Sequence, residues 1–420
     1  MTPEPTRRRS WLLSGDFGRF WVGQTISNLG SSFTMFALPL LVFNLTGSPI
    51  NLGITTAAEF VPYLLFGLVI GAWVDRVDRR RLMIATDLAR AAVIATIPLL
   101  AAFDALSVGW IYAVAFASAT LTIAFDAAEF AAIPSLVPSG DDLVTANGRV
   151  QASYSTAQIA GPLLAGLLVA VAPVQQVLLV DAASFLVSAV ALATIGRAFN
   201  APREEGPRRA IRKDIVDGLR YVLGHPVLRN ISAMMALINL VGATVYTQLV
   251  VFAKRQLEAS DSQVALLYAA GSAGVVLLSL AAGPLRRRLS FSVAALGALA
   301  LDGLLTVVLA ATSWYWAALV LWAAISGLGI FFNINTGSLR QQIVPNHLLG
   351  RVISIAGVLA WSAIPVGALA GGWAVERSGS VALVYGVIGA LVALLAIAFS
   401  FGPLGHADRY LPAGQDAQRS

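Results

Sequence analysis

Long apolar runs alternate with short polar breaks along almost the whole chain. Residues 50–74 and 82–103 are two such runs, each with few charged side chains. A helix needs about 20 apolar residues to cross the hydrocarbon core of a bilayer, so each run is long enough to span a membrane. Counting the runs between glycine, proline and charged breaks predicts twelve spanning helices. Their predicted bounds are 17–44, 50–74, 82–103, 108–130, 148–171, 175–196, 227–252, 263–285, 290–311, 315–338, 349–374 and 381–402.

The break between the second and third runs is short and strongly charged, and it reads GAWVDRVDRRR over residues 71–81. A turn that joins two spanning helices must lie at a membrane face. Short cytoplasmic loops are enriched in Lys and Arg, so the distribution of these residues predicts orientation. With the N-terminus inside, the outer gaps hold Lys254, Arg255 and Arg377, and the inner gaps hold basic residues at 7–9, 76–81, 203–213, 286–288, 340 and 351. We therefore predict that both termini are cytoplasmic.

A long polar stretch, residues 201–226, divides the predicted helices into two groups of six. The sequence thus predicts an all-α integral membrane fold, with twelve transmembrane helices in two pseudo-symmetric six-helix bundles around a central cavity. The predicted domains are 1–197, a cytoplasmic linker at 198–226, and 227–420, which includes a short tail. Within the linker, apolar residues recur every four positions, which predicts either a helix lying flat at the membrane interface or one packing on the protein's own base. These residues are Ile211, Ile215, Leu219 and Leu223.

The two predicted halves share short motifs. Residues 136–138 and 148–150 match residues 343–345 and 350–352, and a proline-containing helix follows in each half. Repeated halves that face each other across a central site are typical of secondary transporters.

The composition requires lipid as the main solvent of the folded chain. Of 420 residues, 57% are hydrophobic and 12% are charged, and no water-soluble fold could bury so much apolar side chain. The net charge of +6 arises from basic residues in the gaps between apolar runs rather than in one groove, so a nucleic-acid partner is not expected. The first apolar segment is too long for a signal peptide, and we expect it to be retained as the first helix.

Residue types also argue against an enzyme. The chain has no cysteine, which excludes disulfides, thiolate metal sites and Cys nucleophiles. Its three histidines, His225, His347 and His406, lie in gaps or the tail, so neither a metal cluster nor a His-based triad is expected. No phosphate-loop or dinucleotide motif is present in the sequence, and no nucleophile is paired with a base. We expect no cofactor and no metal, with a proton gradient as the energy source.

The charged turn and the fifth predicted helix resemble the major facilitator superfamily. Gly71, Asp75, Arg76, Arg79 and Arg80 match its loop signature between helices two and three, and Asp78 occupies a position where glycine is usual. A second signature resembles the antiporter motif of helix five, with small residues replacing two of its glycines. It consists of Gly148, Ala157, Gly161, Pro162, Ala165 and Gly166.

Further stretches, among them LPLLVFNLTGSP, ATDLARA and DAASFLVSA, are similar to the branch of this superfamily that contains the enterobactin exporter and macrolide efflux proteins. The resemblance covers nearly the whole chain and implies a drug or siderophore exporter. Many proton-coupled relatives carry an Arg within helix four, and residues 108–130 contain none. Coupling through that residue is therefore not implied here.

The resemblance implies roles for both motifs. Asp75 would contact the start of helix eleven near Gly350, and Arg76 or Arg79 would pair with Asp126 at an inner gate. Arg80 and Arg81 are instead expected mainly as topology signals. The small residues of helix five would form a smooth strip for a neighbouring helix, which the resemblance identifies as helix eight, and Pro162 would bend the helix.

Acidic residues inside spanning helices are costly, so each requires a reason. A carboxyl group taken out of water exchanges a proton more readily near neutral pH, and we assign proton coupling to Glu59 in helix two. Asp181 and Asp302 lie on helices that the fold places at the periphery, and a structural hydrogen bond is expected for each. Asp126 and Glu129 share one face of helix four; we expect gate pairing for Asp126 and either a gate or a solvent contact for Glu129. Asp87 and Arg90 are expected to neutralise each other or a nearby partner.

The substrate cavity of this fold is lined mainly by helices one, four, seven and ten, with contributions from five, eight and eleven. The polar and aromatic candidates on these helices are Asn28, Tyr154, Gln158, Asn239, Tyr246, Gln248, Tyr268, Trp322, Asn333, Asn335 and Trp361. The set is rich in aromatic and amide groups and lacks Lys and Arg, which favours amphipathic or cationic organic substrates. We predict a monomeric, proton-coupled exporter of small molecules in a bacterial inner membrane. The alternatives are a proton symporter or importer of the same fold, or a membrane sensor that transports nothing.

Overall fold

A computed structural model describes residues 15–74, 76–137, 142–200 and 219–410. Within these residues, twelve helical stretches are long and apolar enough to cross a membrane, which confirms the predicted all-α fold and the predicted number of spans. The helices are α1 (Asp16–Thr46), α2 (Pro49–Val74), α3 (Arg79–Ala102), α4 (Val108–Leu136), α5 (Leu143–Val169), α6 (Val174–Ala193), α7 (Pro226–Thr247), α8 (Leu249–Arg255), α9 (Asp261–Arg288), α10 (Phe291–Ala311), α11 (Tyr315–Ile343), α12 (Asn346–Trp361), α13 (Ala363–Ser378) and α14 (Val381–Ser400), followed by a 3₁₀ helix at Pro403–Tyr410.

Short polar side chains in the breaks begin several of these helices. Asp78 accepts a hydrogen bond from the backbone N–H of Arg81 (3.0 Å) and thereby caps α3. Ser107, Ser290 and Ser380 cap α4, α10 and α14 in the same way. Such a cap satisfies a backbone donor that has no partner inside its own helix. The aspartate at position 78, where glycine is usual in the family, therefore has a local structural role.

Two predicted spans are interrupted. The seventh was predicted to run unbroken over 227–252, but α7 ends at Thr247 and α8 begins at Leu249, with Gln248 between them. The eleventh, predicted at 349–374, is divided into α12 and α13 at Ser362. Pro365 has no N–H to donate to the carbonyl group four residues earlier, which accounts for the second break. A hydropathy pattern does not detect such breaks because the flanking residues remain apolar.

The described helices form two compact units. The first contains α1, α2 from Ala58 onward, α3 to α6, and residues 260–269. Its helix α1 packs on α5 and α6, and α3 packs on α4 and α6. Close approach of α1 and α6 depends on glycine, because a Cβ atom at Gly30 would overlap the Ser184 side chain. A cluster of buried aromatic and aliphatic side chains, including Phe17, Phe20 and Met83, fills one end of this unit.

The second unit contains residues 48–57, α7, α8 and the described chain from Ala270 onward. Helix α10 packs on α11 and α14, and α13 packs on α7. Gly303 and Gly389 face each other at the contact between α10 and α14, where a Cβ atom on Gly303 would lie 2.5 Å from the carbonyl oxygen of Gly389. The grouping of residues 48–57 and 260–269 shows that each unit includes a short segment from the other predicted half.

Most of the predicted amphipathic linker helix lies outside the described residues. At its described end, Val222 is buried against Leu228, Val344 and Val352 of the second unit, whereas Leu223 is half exposed. This part of the linker therefore packs on the protein itself, as one of the two alternatives expected.

Candidate functional site

The charged turn after α2 was predicted to contain gate residues. Gly71 lies in the last turn of α2, and Arg76 is exposed beyond the helix. Asp75 lies outside the described residues, as does its predicted contact with the start of the eleventh span. The mechanistic role of Asp75 therefore stays a prediction.

Arg79 does not point to Asp126. Its Nη1 atom donates hydrogen bonds to the carbonyl oxygens of Ala131 (3.0 Å) and Phe199 (3.4 Å). Ala131 lies about 7.5 Å further along α4 than Asp126, at 1.5 Å per residue. In the described part of the chain Asp126 forms no ion pair, and the expected pairing with Arg76 or Arg79 is absent from this arrangement. The gate role of Asp126 stays a prediction.

Arg80 has a structural role that the sequence did not indicate. Its Nε atom donates to the carbonyl oxygen of Leu192 (2.9 Å), and its Nη2 atom donates to that of Ala193. These carbonyl groups lie in the last turn of α6, where they have no partner within the helix and where a positive charge is favourable. Arg81, by contrast, is exposed and 3.7 Å from Asp78. Arg80 thus caps a neighbouring helix, whereas Arg81 is placed as expected of a topology signal.

Arg90 is buried inside the first unit, with only 5% of its surface exposed. Its Nη2 atom lies 2.5 Å from Oδ1 of Asp87, one turn earlier on α3, which confirms the expected neutralising pair. Its guanidinium carbon lies 4.2 Å from the ring centroid of Phe125 on α4 and 4.3 Å from that of Phe185 on α6. Cation–π contacts of this kind are strongest where water is excluded. Arg90 is therefore a fixed positive charge held between three helices.

Asp126 and Glu129 lie one turn apart on α4, beside Arg90. The charge of Arg90 acts on both carboxyl groups, and the two carboxyl groups act on each other. Asp126 is exposed, whereas Glu129 is partly buried and its Oε1 atom is buried without a hydrogen-bond partner. The α4 acids therefore include one exposed group and one that is partly buried.

Glu59 lies on α2, and Tyr63 follows it one turn later. Glu59 is partly buried and forms no hydrogen bond or ion pair with a described residue; its charge acts on Tyr63 and on Tyr268. Tyr63 also experiences the charges of Asp126 and Arg90. Four groups thus form a series in which each interacts electrostatically with the next, and we name this series the titratable row. The row consists of Glu59, Tyr63, Asp126 and Glu129.

The depth of the titratable row follows from helix geometry. Spanning helices alternate in direction, so α2 and α4 begin at the same membrane face. At 1.5 Å per residue, Glu59 lies about 15 Å from the start of α2 and Tyr63 about 21 Å. On the same scale, Asp126 and Glu129 lie about 27 Å and 31 Å from the start of α4. The row therefore extends from the middle of the membrane towards the face at which α3 begins.

The other buried acids divide into two cases. Asp181 accepts hydrogen bonds from the hydroxyl groups of Thr34 (2.5 Å), Ser31 (3.3 Å) and Ser184 (3.3 Å), which confirms its expected structural bonding. The same expectation was wrong for Asp302, whose side chain makes no hydrogen bond to a described residue. Asp302 instead acts electrostatically on Tyr246 of α7.

The small residues of α5 contact two different helices. Gly161 lies against α1, where an added Cβ atom would overlap the side chain of Ser32. Gly166 lies against the start of α9: its carbonyl oxygen accepts a hydrogen bond from Ser262 (2.9 Å), and an added Cβ atom would lie 2.5 Å from Cβ of Ala265. Five residues of helix correspond to a rotation of about 140°, which directs the two glycines to different faces. The small residues of α5 were expected to face the eighth predicted span, which corresponds to α9. Gly166 does lie against α9, whereas Gly161 lies against α1, so the expectation is wrong for Gly161.

Other members of the motif follow the same geometry. Ala157 and Ala165 are buried on the face of Gly161, and Pro162 is buried within an unbroken α5. Gly148 has open space around it, so close packing does not require glycine there.

The predicted cavity residues differ in exposure. Tyr154 and Trp361 are 48% and 50% exposed, and Asn28 and Gln158 are partly buried. Asn239 is partly buried and donates a hydrogen bond to the carbonyl oxygen of Ala360 (2.8 Å).

Three predicted cavity residues, Gln248, Trp322 and Asn335, are enclosed, so the prediction that they line an open cavity is wrong for this structure. Gln248 is fully buried at the break between α7 and α8 and donates to the carbonyl oxygen of Pro49 (2.9 Å). Asn335 is buried and donates to the carbonyl oxygen of Phe331 (2.8 Å) within its own helix. Both amides satisfy backbone carbonyl groups, which apolar surroundings require.

A polytopic fold with an enclosed arginine and a row of acids across half the membrane defines a membrane transport protein rather than an enzyme. The chain belongs to the major facilitator superfamily, since the family model of that description matches residues 20–362. It is similar to the multidrug efflux pump Tap of Mycolicibacterium fortuitum, with 29% identity over 366 residues that cover 83% of this chain and 87% of the relative. It is also similar to macrolide efflux protein A of Streptococcus pyogenes, with 25% identity over 382 residues that cover 88% and 91% of the two chains.

Solved structures share the fold at low identity. A bacterial homologue of the human lysosomal transporter Spinster, in an inward-facing and unoccupied conformation, has a TM-score of 0.70 and 15% identity over 98% of both chains. The nucleoside transporter NupG has a TM-score of 0.74 and 12% identity, covering 92% of this chain and 98% of its own. The family match and the twelve candidate spans together make the protein a multi-pass membrane transporter.

Proposed function

We propose that this protein is a secondary active transporter that exports small amphipathic organic compounds, drugs or siderophore-like molecules, in exchange for protons by alternating access. The observation that carries the proposal is the titratable row. Acids inside a membrane are costly and usually serve an ion or substrate pathway. Here they extend from Glu59 in the middle of the membrane to Glu129 near one face. The efflux function of the two named relatives supports the direction of transport.

The substrate class follows from the exposed side chains. Tyr154 and Trp361 present large aromatic surfaces, and Tyr246 is 53% exposed beside the indole of Trp322, with ring centroids 5.0 Å apart. The buried cation of the first unit, Arg90, is already paired with a carboxylate. Aromatic faces and acids bind cationic and amphipathic molecules better than anions.

The test is a susceptibility panel of drugs and siderophores in a bacterial strain that lacks its own pumps, with and without an uncoupler. Expression should raise resistance to amphipathic cations, and the uncoupler should abolish this protection. Glu59→Gln should reduce efflux driven by a pH gradient. Protection that survives collapse of the gradient would refute proton exchange, and increased accumulation of the compounds on expression would favour the importer alternative.

We also propose that the protein functions as a monomer, that both of its termini are cytoplasmic, and that the linker at 198–226 separates its two six-helix halves. The excess of Lys and Arg in alternate gaps supports the cytoplasmic orientation of the termini. Reporter fusions to each terminus test the orientation, because an enzyme that is active only outside the cytoplasm should remain inactive at both.

A further inference from the structure

We propose that Asp126 and Glu129 form the proton-carrying site of the first unit and that Arg90 is its fixed counter-charge. Arg90 would be a positioning residue that acts through the two acids. The inference rests on the proposed function, since it assigns the groups that carry the proton in the exchange. It differs from the assignment of coupling to Glu59 alone.

The number of charges in the first unit supports this assignment. Four carboxyl groups experience the charge of one buried arginine, Arg90. Asp87 is paired directly with it at 2.5 Å, and Asp181 is stabilised by three hydroxyl donors. Among the described residues, Asp126 and Glu129 have neither a direct ion pair nor a set of donors. Of the four, they are the acids whose charge is least compensated.

The spacing of the two acids favours one shared proton. Residues three apart lie on the same helix face, and like charges at this spacing destabilise each other. Glu129 has a buried Oε1 atom with no hydrogen-bond partner, and an unpaired buried acceptor is unfavourable. A proton on either group removes the repulsion and supplies a donor to the other. Asp126 is the more exposed of the two, so we assign to it the exchange of that proton with the surroundings.

Arg90 is held at the level of this pair. It lies about 16 Å from the start of α3, and Asp126 lies about 15 Å from the end of α4, at 1.5 Å per residue. Since α3 begins at the face where α4 ends, the two depths coincide. Contacts to Phe125 and Phe185 fix the guanidinium group, and its Nε atom is buried without a hydrogen-bond partner among the described residues. The ring contacts therefore hold the guanidinium group of Arg90 against α4, one residue from Asp126 in sequence.

The surroundings of the two acids are defined on every neighbouring helix. On α1, Asp16 and Arg19 lie in the first turn, where Arg19 donates to the carbonyl oxygen of Thr194 (2.8 Å) and Asp16 accepts from the backbone N–H of Arg197 (3.1 Å). Arg79 donates a hydrogen bond to the carbonyl oxygen of Ala131 on α4 (3.0 Å), which is two residues beyond Glu129. Electrostatic interactions with the pair or with Arg90 involve Tyr63 on α2, Asp87 on α3 and Asp181 on α6, whereas Glu59 and Tyr154 interact with Tyr63.

The decisive experiment measures proton binding without any substrate. The full-length protein in lipid vesicles is titrated while the infrared band of protonated carboxyl groups is recorded. We expect a band that titrates in the wild type and is lost in the double variant Asp126→Asn/Glu129→Gln. Arg90→Gln should change its midpoint, because the fixed charge beside the acids is removed, whereas Arg90→Lys, which keeps the charge, should change it less.

Asp104→Asn is the matched control. Asp104 is exposed in the loop between α3 and α4 and has a φ of 53°, which asparagine adopts readily, so this variant should retain the wild-type band. Glu129→Asp, which keeps the carboxyl group, should retain a titrating band. A melting temperature of the double variant close to that of the wild type shows that loss of its band is not a folding failure. A band that titrates unchanged in the double variant overturns the inference.

A second measurement separates this inference from the proposed function. Efflux of ethidium from the same vesicles is driven by an imposed pH gradient. The double variant should lose at least tenfold of the gradient-driven rate, and Asp104→Asn should not. A wild-type efflux rate that does not change with the imposed pH gradient overturns the proposed proton exchange. Gradient-driven efflux that persists in the double variant overturns only the assignment to Asp126 and Glu129.

Discussion

Replacing Gly161 by alanine should destabilise the first unit through a single steric contact. The added Cβ atom would overlap the Ser32 side chain and would lie 3.5 Å from the carbonyl oxygen of Leu29. Ser32 is itself buried and donates a hydrogen bond to Leu29 (2.6 Å), so it has little room to move. Overpacking of this kind costs about 1–3 kcal/mol. With a shift of about 2–4 °C per kcal/mol for a domain of 150–250 residues, the melting temperature should fall by about 2–12 °C.

The assay is thermal unfolding of the purified protein in detergent, followed by intrinsic fluorescence. Gly148→Ala is the matched control on the same helix: nothing lies within 4 Å of an added Cβ atom, so the melting temperature should stay equal or rise. Gly161→Ala combined with Ser32→Gly should recover most of the loss, because the overlapping side chain is gone. Wild-type stability in Gly161→Ala, or no recovery in the double variant, would refute the packing argument.

Two further predictions concern acids and a histidine. Asp181→Leu should destabilise the protein by about 1–2 kcal/mol, since three hydroxyl donors lose their acceptor, whereas Asp302→Leu should change stability by less than about 0.5 kcal/mol; equal losses in thermal unfolding would contradict this difference. Nδ1 of His225 accepts a hydrogen bond from the backbone N–H of Leu228 at 3.4 Å, and burial lowers the pKa of His225. A lowered pKa means that its stabilisation is present above about pH 6.5 and is lost as the pH falls through the folded-state value. The wild-type melting temperature should therefore fall below that of His225→Asn at acidic pH, and parallel pH profiles would exclude a titrating cap.

The number and approximate bounds of the spans could be predicted because lipid imposes them. Each crossing must satisfy its own backbone hydrogen bonds and present apolar side chains over a fixed length, and hydropathy records both requirements. The breaks at Gln248 and Ser362 could not be read in this way, since neither interrupts an apolar run. Pro365 offered a signal for the second break. For the first, the structure provides a partner, the carbonyl oxygen of Pro49, which is distant in sequence.

The pairing of charged groups was predictable only within a helix. Asp87 and Arg90 are three residues apart, and their contact followed from helical spacing. The partner of Arg79 depended on how α3 meets α4, and it proved to be a backbone carbonyl group rather than Asp126. The two faces of α5 were within reach of sequence reasoning, because counting 100° per residue already separates Gly161 from Gly166.

The absence of an arginine from α4 does not leave the acids of that helix without a neighbouring positive charge. Relatives that carry this residue place a positive charge on helix four, and no residue of α4 can do so here. Yet the guanidinium group of Arg90, from α3, lies 4.2 Å from the ring of Phe125 on α4, next in sequence to Asp126. Electrostatic effects depend on the position of a charge and on the exclusion of water around it, not on the helix that supplies it. A cation is therefore present beside the acids of α4 although the sequence of that helix contains none, so the absence of an arginine in helix four is no argument against proton coupling in this protein.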